Sequence, residues 1–204
     1  MSTLLHFSKK NRLNISRVLI GSLILLDFLS TPHWPMKPGT LILIEFLAFI
    51  LVMIATFGRL WSLSYISGNK SQNLITNGPY SLMRNPLYFF SLIGAIGLGI
   101  VSKSMFIFSV ILVAFAVYYP LVVRAEEEHL ERIHDDDFRR YKDAVPMFLP
   151  SFSNYQEEPS FSVDARRLRR SFFSAVWFPL IFFIMITVDR LQALQIMHPI
   201  FIIR

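Results

Sequence analysis

Apolar and polar residues fall along this chain in long blocks rather than with a short period. The blocks over 18–31, 40–58, 87–101, 105–123 and 171–188 are almost wholly apolar, and polar segments separate them. Each reads as a membrane span, the shorter ones lying upright or supported by neighbours. The pattern predicts an all-α, polytopic helical membrane protein of one integral domain over 1–204. It has about five transmembrane helices and, after the fourth, a cytoplasmic helical and loop segment over 124–170. Residues 191–203 are too short for a sixth span and read as interfacial or as a half-span. Gly94, Gly97 and Gly99 are expected where helices approach closely. Residues 102–104 leave room only for a tight hairpin, and Pro120 is expected to kink the fourth span. Asp27 and Glu45 lie inside apolar blocks, each either solvated near the outer interface or making a polar contact within the membrane.

Between two of these blocks lies the densest cluster of special residues, Asn77-Gly78-Pro79-Tyr80-Ser81-Leu82-Met83-Arg84-Asn85-Pro86-Leu87-Tyr88. Asn-Gly-Pro reads as a turn, since Gly tolerates positive φ and Pro fixes its own. Asn85-Pro86 reads as a helix start, with Asn at the cap and Pro preset at the first helical position. A cationic, aromatic loop is thereby held where a helix meets the membrane.

Composition narrows the picture. The chain is 53% hydrophobic and 17% charged, with mean hydropathy +0.48, a balance seldom found in soluble domains. It has no cysteine, which removes thiol nucleophiles and disulfides. No cleavable signal pattern follows the basic N-terminus. A net charge of +6 and pI near 9.8 would suit nucleic acid, but the placement of the cations explains them better. Lys and Arg concentrate in 1–17, 59–85 and 124–170, while Lys37, Lys103, Arg190 and Arg204 fall on the other side. The positive-inside rule then puts the N-terminus and both polar loops in the cytoplasm, and no nucleic-acid partner is expected.

On that face Tyr80, Arg84, Asn85 and Tyr88 can meet Glu126 and Glu127, because a tight hairpin makes the ends of the third and fourth spans neighbours. Aromatic faces attract a sulfonium or ammonium cation, carboxylates bind hydroxyls or an amino group, and arginine binds a carboxylate. A collar of interfacial anchors would have the same composition. A metal site in Glu126–Glu128, His129, His134 and Asp135–Asp137 is disfavoured by the five-residue spacing of the histidines; a solvated acidic helix, partly neutralised by Arg132, Arg139 and Arg140, fits better. Arg166, Arg167, Arg169 and Arg170 read as an orientation signal and an anchor for anionic lipid. No serine–histidine–acid set is visible.

The 78–88 segment resembles the G-x-Y-x-x-x-R-H-P-x-Y motif of isoprenylcysteine carboxyl methyltransferases and related phospholipid methyltransferases. Glu126-Glu127-x-x-Leu130, Tyr141, Val145-Pro146 and Leu149-Pro150 are similar, at matching spacing, to that family's second motif. The resemblance covers about 61–150. It implies an integral membrane methyltransferase that uses S-adenosylmethionine at the cytoplasmic face. The implied partners are membrane lipids and a lipophilic or lipidated acceptor carrying an isoprenylcysteine-like carboxylate or, less expectedly, an amine; oligomeric state is left open. Carried over by position, the cofactor contacts fall on Gln72, Asn73, Leu74, Ile75, Tyr80, Asn85, Pro86, Leu87, Tyr88 and Glu126, with Tyr65 nearby. Arg84, Arg124 and Glu127 are the expected catalytic set, and no metal is implied. The chain departs from the pattern at Asn85, where the family has histidine, at His134-Asp135 in place of Phe-Gly, and at Phe138 in place of tyrosine. The family's acceptor-binding arginine falls opposite Val122, two residues from Arg124. Two other classes share the architecture: a sterol-type reductase using NADPH, and a non-catalytic membrane protein retaining the fold.

Overall fold

The computed structural model of the chain describes residues 30–31, 37–68, 74–160, 163–197 and 201–202. Its helices there are α1 (Pro38–Gly68), α2 (Pro79–Leu82), α3 (Pro86–Val101), α4 (Met105–Ala144) and α5 (Ala165–Ala193). A 3-10 turn covers Phe152–Asn154, and β1 (Ser30–Thr31) pairs in parallel with β2 (Phe201–Ile202).

The fold is all-α, but the expectation of about five transmembrane helices is overturned. Among the described residues three helices are apolar and long enough to cross a membrane, beginning at Pro38, Met105 and Ala165. The block read as the third span is α3, a helix of 16 residues. At 1.5 Å per residue it is about 24 Å long, short of the roughly 30 Å hydrocarbon core. The block over 18–31 lies outside the described residues except for Ser30 and Thr31, which form β1. Within the segment over 191–203, α5 ends at Ala193, Gln195 takes φ 57, and Phe201–Ile202 is a strand.

Two helices run well past their apolar blocks. In α1 the polar residues after Gly58 turn inward: Ser62 is fully buried with its hydroxyl on Gly58 O (2.8 Å), and Tyr65 is buried as well. The 40-residue α4 leaves the membrane-like half of its sequence and continues as the acidic helix. It carries Pro120 internally, and its non-helical backbone falls instead at Asp135 (φ 37, ψ −110). Asp135 stands where the resembling family has glycine, and the backbone there has kept a glycine-like conformation. Such a residue stores about 1–3 kcal/mol, partly offset in a glycine variant by up to about 1 kcal/mol of extra chain entropy. Asp135→Gly should therefore stabilise the protein by about 1 kcal/mol in a thermal melt of the detergent-solubilised chain. A lower midpoint than wild type would deny the strain.

The core joins α1, α3 and α5 through Ala48, Val52, Val101, Ile181, Phe182 and Met185. Close approach depends on Gly97, where an added Cβ would lie 2.9 Å from Ala48 O. At one end of the bundle, Lys103 in the α3–α4 turn binds Glu45 of α1 (2.7 Å) and Asp189 of α5, and Arg190 binds Glu45. Lys103 is only 5% exposed and Glu45 11%. Of the two readings of Glu45, the polar contact is the one formed; Asp27 lies outside the described residues. The network ties three elements together at the end of the bundle opposite the loop rich in tyrosine and arginine.

Candidate functional site

That loop is built as its residue types dictate. Gly78 takes φ 60, and the ring of Tyr65 packs so closely that a Cβ at 78 would sit 2.3 Å from it. Pro86 opens α3 next to Asn85 at the cap position, but the Asn85 side chain makes no cap bond. It donates instead to Glu127 Oε1 (3.3 Å) and to the carbonyl of Met147 (3.2 Å). The segments around 80 and 150, distant in sequence, are laced by backbone. Arg84 N donates to Pro146 O (2.9 Å), Ser151 N to Leu82 O (2.9 Å) and Gly78 N to Gln156 O (2.7 Å). Tyr141 adds its hydroxyl to Tyr80 O (2.7 Å).

Two carboxylates of α4 divide the site. Glu127 is buried and pairs with Arg84 Nε at 3.0 Å, with both side chains 10% exposed or less. Arg84 Nη1 is also engaged, by the carbonyls of Lys142 (2.6 Å) and Val145 (3.2 Å). Glu126 accepts the hydroxyl of Tyr88 at 2.7 Å. The Tyr88 ring meets Tyr119 edge-on (4.8 Å between centroids), and Tyr119 stacks on Phe115 (5.0 Å) and abuts Phe148 (5.7 Å). The hydroxyls of Tyr80 and Tyr119 are buried with no hydrogen-bond partner among the described residues. Burial first, and then the Glu126 carboxylate, push the Tyr80 hydroxyl well above the ordinary tyrosine pKa, so it is held protonated as a donor.

The predicted residues distribute as follows. Arg84, Asn85 and Glu127 converge in one hydrogen-bonded group, Tyr88 and Glu126 form a second, and Tyr80 lies within electrostatic reach of both Tyr88 and Glu126. Pro86 is buried, and the Leu87 carbonyl accepts from Ser91 Oγ (2.6 Å). Leu74 packs on the small core of Phe138, Tyr141 and Val145, and Ile75 is half-buried. Arg124 is exposed and forms no ion pair among the described residues. Gln72 and Asn73 lie outside them. In the acidic helix Arg139 pairs with Glu131, Asp135 and Asp136, and Arg140 with Asp137. Among the described residues no group of three His, Cys, Asp or Glu is placed to share a metal ion.

Two residues that sequence reasoning missed belong here. Tyr119 presents one of the unpartnered hydroxyls. Arg59, read as the first residue of a polar connection, continues α1 and reaches between α3 and α5. It donates to Ser91 Oγ, Ser174 Oγ (3.3 Å) and more weakly Leu87 O (3.4 Å), and lies 5.6 Å over the Phe178 ring. Its Nε is buried without a partner, and among the described residues no carboxylate pairs with it. A ring face returns about 2 kcal/mol at best, against an effective penalty of several kcal/mol for burying an ion. The only signal in the sequence was a lone arginine directly after an apolar run.

S-adenosylmethionine makes definite demands on such a place: aromatic faces for its sulfonium, an acceptor for its hydroxyls or amino group, and donors for its polar end. Tyr88, Tyr119 and Tyr80 would offer the faces, Glu126 the acceptor, and the orphaned hydroxyls of Tyr80 and Tyr119 the donors. The residues present fit the group.

Comparison with known proteins adds relatives. The phospholipid methyltransferase family model matches residues 38–137, from the start of α1 into the acidic part of α4. The cobalt-zinc-cadmium resistance protein CzcN of Cupriavidus metallidurans is 35% identical over 175 residues, 85% of this chain and 79% of that protein. The nickel-cobalt-cadmium resistance protein NccN of Alcaligenes xylosoxydans xylosoxydans is 33% identical over 177 residues, covering 87% and 82%. No solved structure matches the chain.

Proposed function

Because the chain belongs to the family of the resistance proteins CzcN and NccN and matches the phospholipid methyltransferase model over residues 38–137, we propose that it is an S-adenosylmethionine-dependent membrane methyltransferase. Its acceptor is a lipophilic molecule bearing a carboxylate, methylated at the cytoplasmic face. The observation that carries the reading is the Tyr88–Glu126 bond at 2.7 Å beside the unpartnered hydroxyls of Tyr80 and Tyr119. It joins the two motifs in one aromatic, acidic, partly unsatisfied cluster.

When bound, S-adenosylmethionine supplies an electrophilic methyl group on a sulfonium. The tyrosine faces hold the positive charge, Glu126 holds the polar end, and the Tyr80 hydroxyl donates a hydrogen bond. A carboxylate acceptor is already nucleophilic at neutral pH, so no residue need act as general base. What remains for the protein is alignment and exclusion of water, for which orientation alone can lower the barrier by about 7–11 kcal/mol. Arg84 and Glu127 satisfy each other, and we assign them to positioning: they fix Asn85 and the 145–147 loop against α4. Arg124, exposed on the same helix, is available to the acceptor's headgroup.

The names of both relatives give the reading a setting. Methylating a membrane carboxylate removes a negative charge that attracts divalent cations, which would connect this chemistry to metal resistance. The direct test is calorimetric titration of the full chain in detergent with S-adenosylmethionine, using NADPH as the control ligand. Micromolar affinity for the first and none for the second is expected; the reverse order would favour a reductase, and binding of neither by folded protein a retained scaffold.

A further inference from the structure

Among the described residues Arg59 is a cation without an anion. It sits at the junction of α1, α3 and α5, and every partner its guanidinium has there is neutral: two serine hydroxyls, one carbonyl and an aromatic ring. Its Nε carries an N–H that points at no acceptor, and the Tyr80 hydroxyl nearby is buried and equally without a partner. Tyr80 and Tyr88 are among the ionisable side chains close enough to act on Arg59. Ionisable residues within membrane helices face the bundle interior, pair with one another or with carbonyls, and mark substrate or ion paths. The other arginine of this region is already satisfied, since Arg84 has Glu127 and two carbonyls.

We propose that Arg59 and Tyr80 together form a buried anion-recognition point, taking a carboxylate or a chemically similar oxyanion of a bound ligand. A guanidinium offers such a group a fork of parallel N–H donors, and the protonated phenol adds a further donor. Two ligands could bring the anion: the lipophilic acceptor, through its headgroup, or the methyl donor, through its amino-acid carboxylate. The inference rests on the methyltransferase reading only for which of these brings it; the need for an anion follows from the unpaired cation.

The experiment measures binding, not turnover, on the full chain in a neutral detergent by native mass spectrometry and calorimetry. The probes are palmitate against hexadecanol, and S-adenosylmethionine against its decarboxylated form, which lacks only the carboxylate. Wild type should prefer the carboxylate-bearing member of at least one pair by about tenfold to a hundredfold, the range for hydrogen bonds to a charged group. Arg59→Gln should erase that preference, and Arg59→Lys should keep part of it. Tyr80→Phe, an isosteric change that spares the fold, should reduce it severalfold and serves if Arg59→Gln does not fold. Loss confined to palmitate identifies the acceptor as the source of the anion, and loss confined to S-adenosylmethionine identifies the methyl donor. If wild type shows no preference in either pair, or Arg59→Gln folds and keeps it, the proposal is overturned and Arg59 is a strut between Ser91 and Ser174. A wild type that ignores S-adenosylmethionine but selects palmitate through Arg59 would sink the methyltransferase reading and leave the anion site standing.

Discussion

Glu126→Gln should weaken S-adenosylmethionine binding about tenfold to a hundredfold, the equivalent of one hydrogen bond to a charged group. The substitution keeps the shape of the side chain and removes its charge. Glu126 accepts the Tyr88 hydroxyl at 2.7 Å, and an amide oxygen can still accept that bond, so the local structure should persist. What is lost is the attraction for a cationic ligand and a strong acceptor for its hydroxyls or amino group. Tyr88→Phe breaks the same bond from the other side but retains both the ring and the carboxylate, so its effect should be smaller. The ordering discriminates between roles. If Tyr88→Phe costs more affinity than Glu126→Gln, the hydroxyl itself touches the ligand. Unchanged affinity in the Gln variant, titrated calorimetrically against folded protein, would remove Glu126 from the site.

What the sequence disclosed and what it hid divide along physical lines. The turn at Gly78, the helix start at Pro86 and the hairpin at 102–104 were legible because each rests on the backbone preferences of one or two residues. The meeting of Tyr88 with Glu126 followed from the hairpin. Helix lengths were not legible from apolar blocks, because hydropathy reports where side chains are greasy and not where backbone stops being helical. Hence α1 runs on through polar residues that are buried against other parts of the protein, α4 runs on through a largely exposed acidic stretch, and α3 falls short of a full span. Arg59 was concealed by the same effect: it follows Gly58, where the apolar block ends, and only the continuing helix carries it back between α3 and α5. The Glu45–Lys103–Asp189–Arg190 network was unreadable for a different reason. Its members sit in three separate segments, and each alone resembles an interfacial charge. Asp135 is an intermediate case. Its departure from the family's glycine was visible, but not that the backbone keeps φ 37 there with a residue ill suited to it.

The buried pair of Arg84 and Glu127 allows folding to be separated from site geometry. Glu127→Ala should destabilise the protein by about 3–5 kcal/mol, because it leaves the guanidinium buried and uncompensated; Arg84→Ala should do the same to the carboxylate. The double variant Arg84→Met/Glu127→Leu should recover most of that loss, since apolar residues of similar volume often replace a buried ion pair at no net cost. Stability alone therefore cannot explain why a pair is needed here. Asn85 Nδ2 donates to Glu127 Oε1 as well as to Met147 O, and Arg84 Nη1 binds the carbonyls that lead into the 145–147 loop. Removing both charges leaves Asn85 with its bond to Met147 O as its one anchor, and the loop with that bond and the backbone bonds at Val145 and Pro146. The Phe148 ring, which abuts Tyr119, is carried by that loop. A double variant as stable as wild type in a thermal melt but at least tenfold weaker for S-adenosylmethionine would establish the pair as a positioning device. Equal stability and equal affinity would assign the two charges to neither role, and the site would then consist of the tyrosines and Glu126 alone.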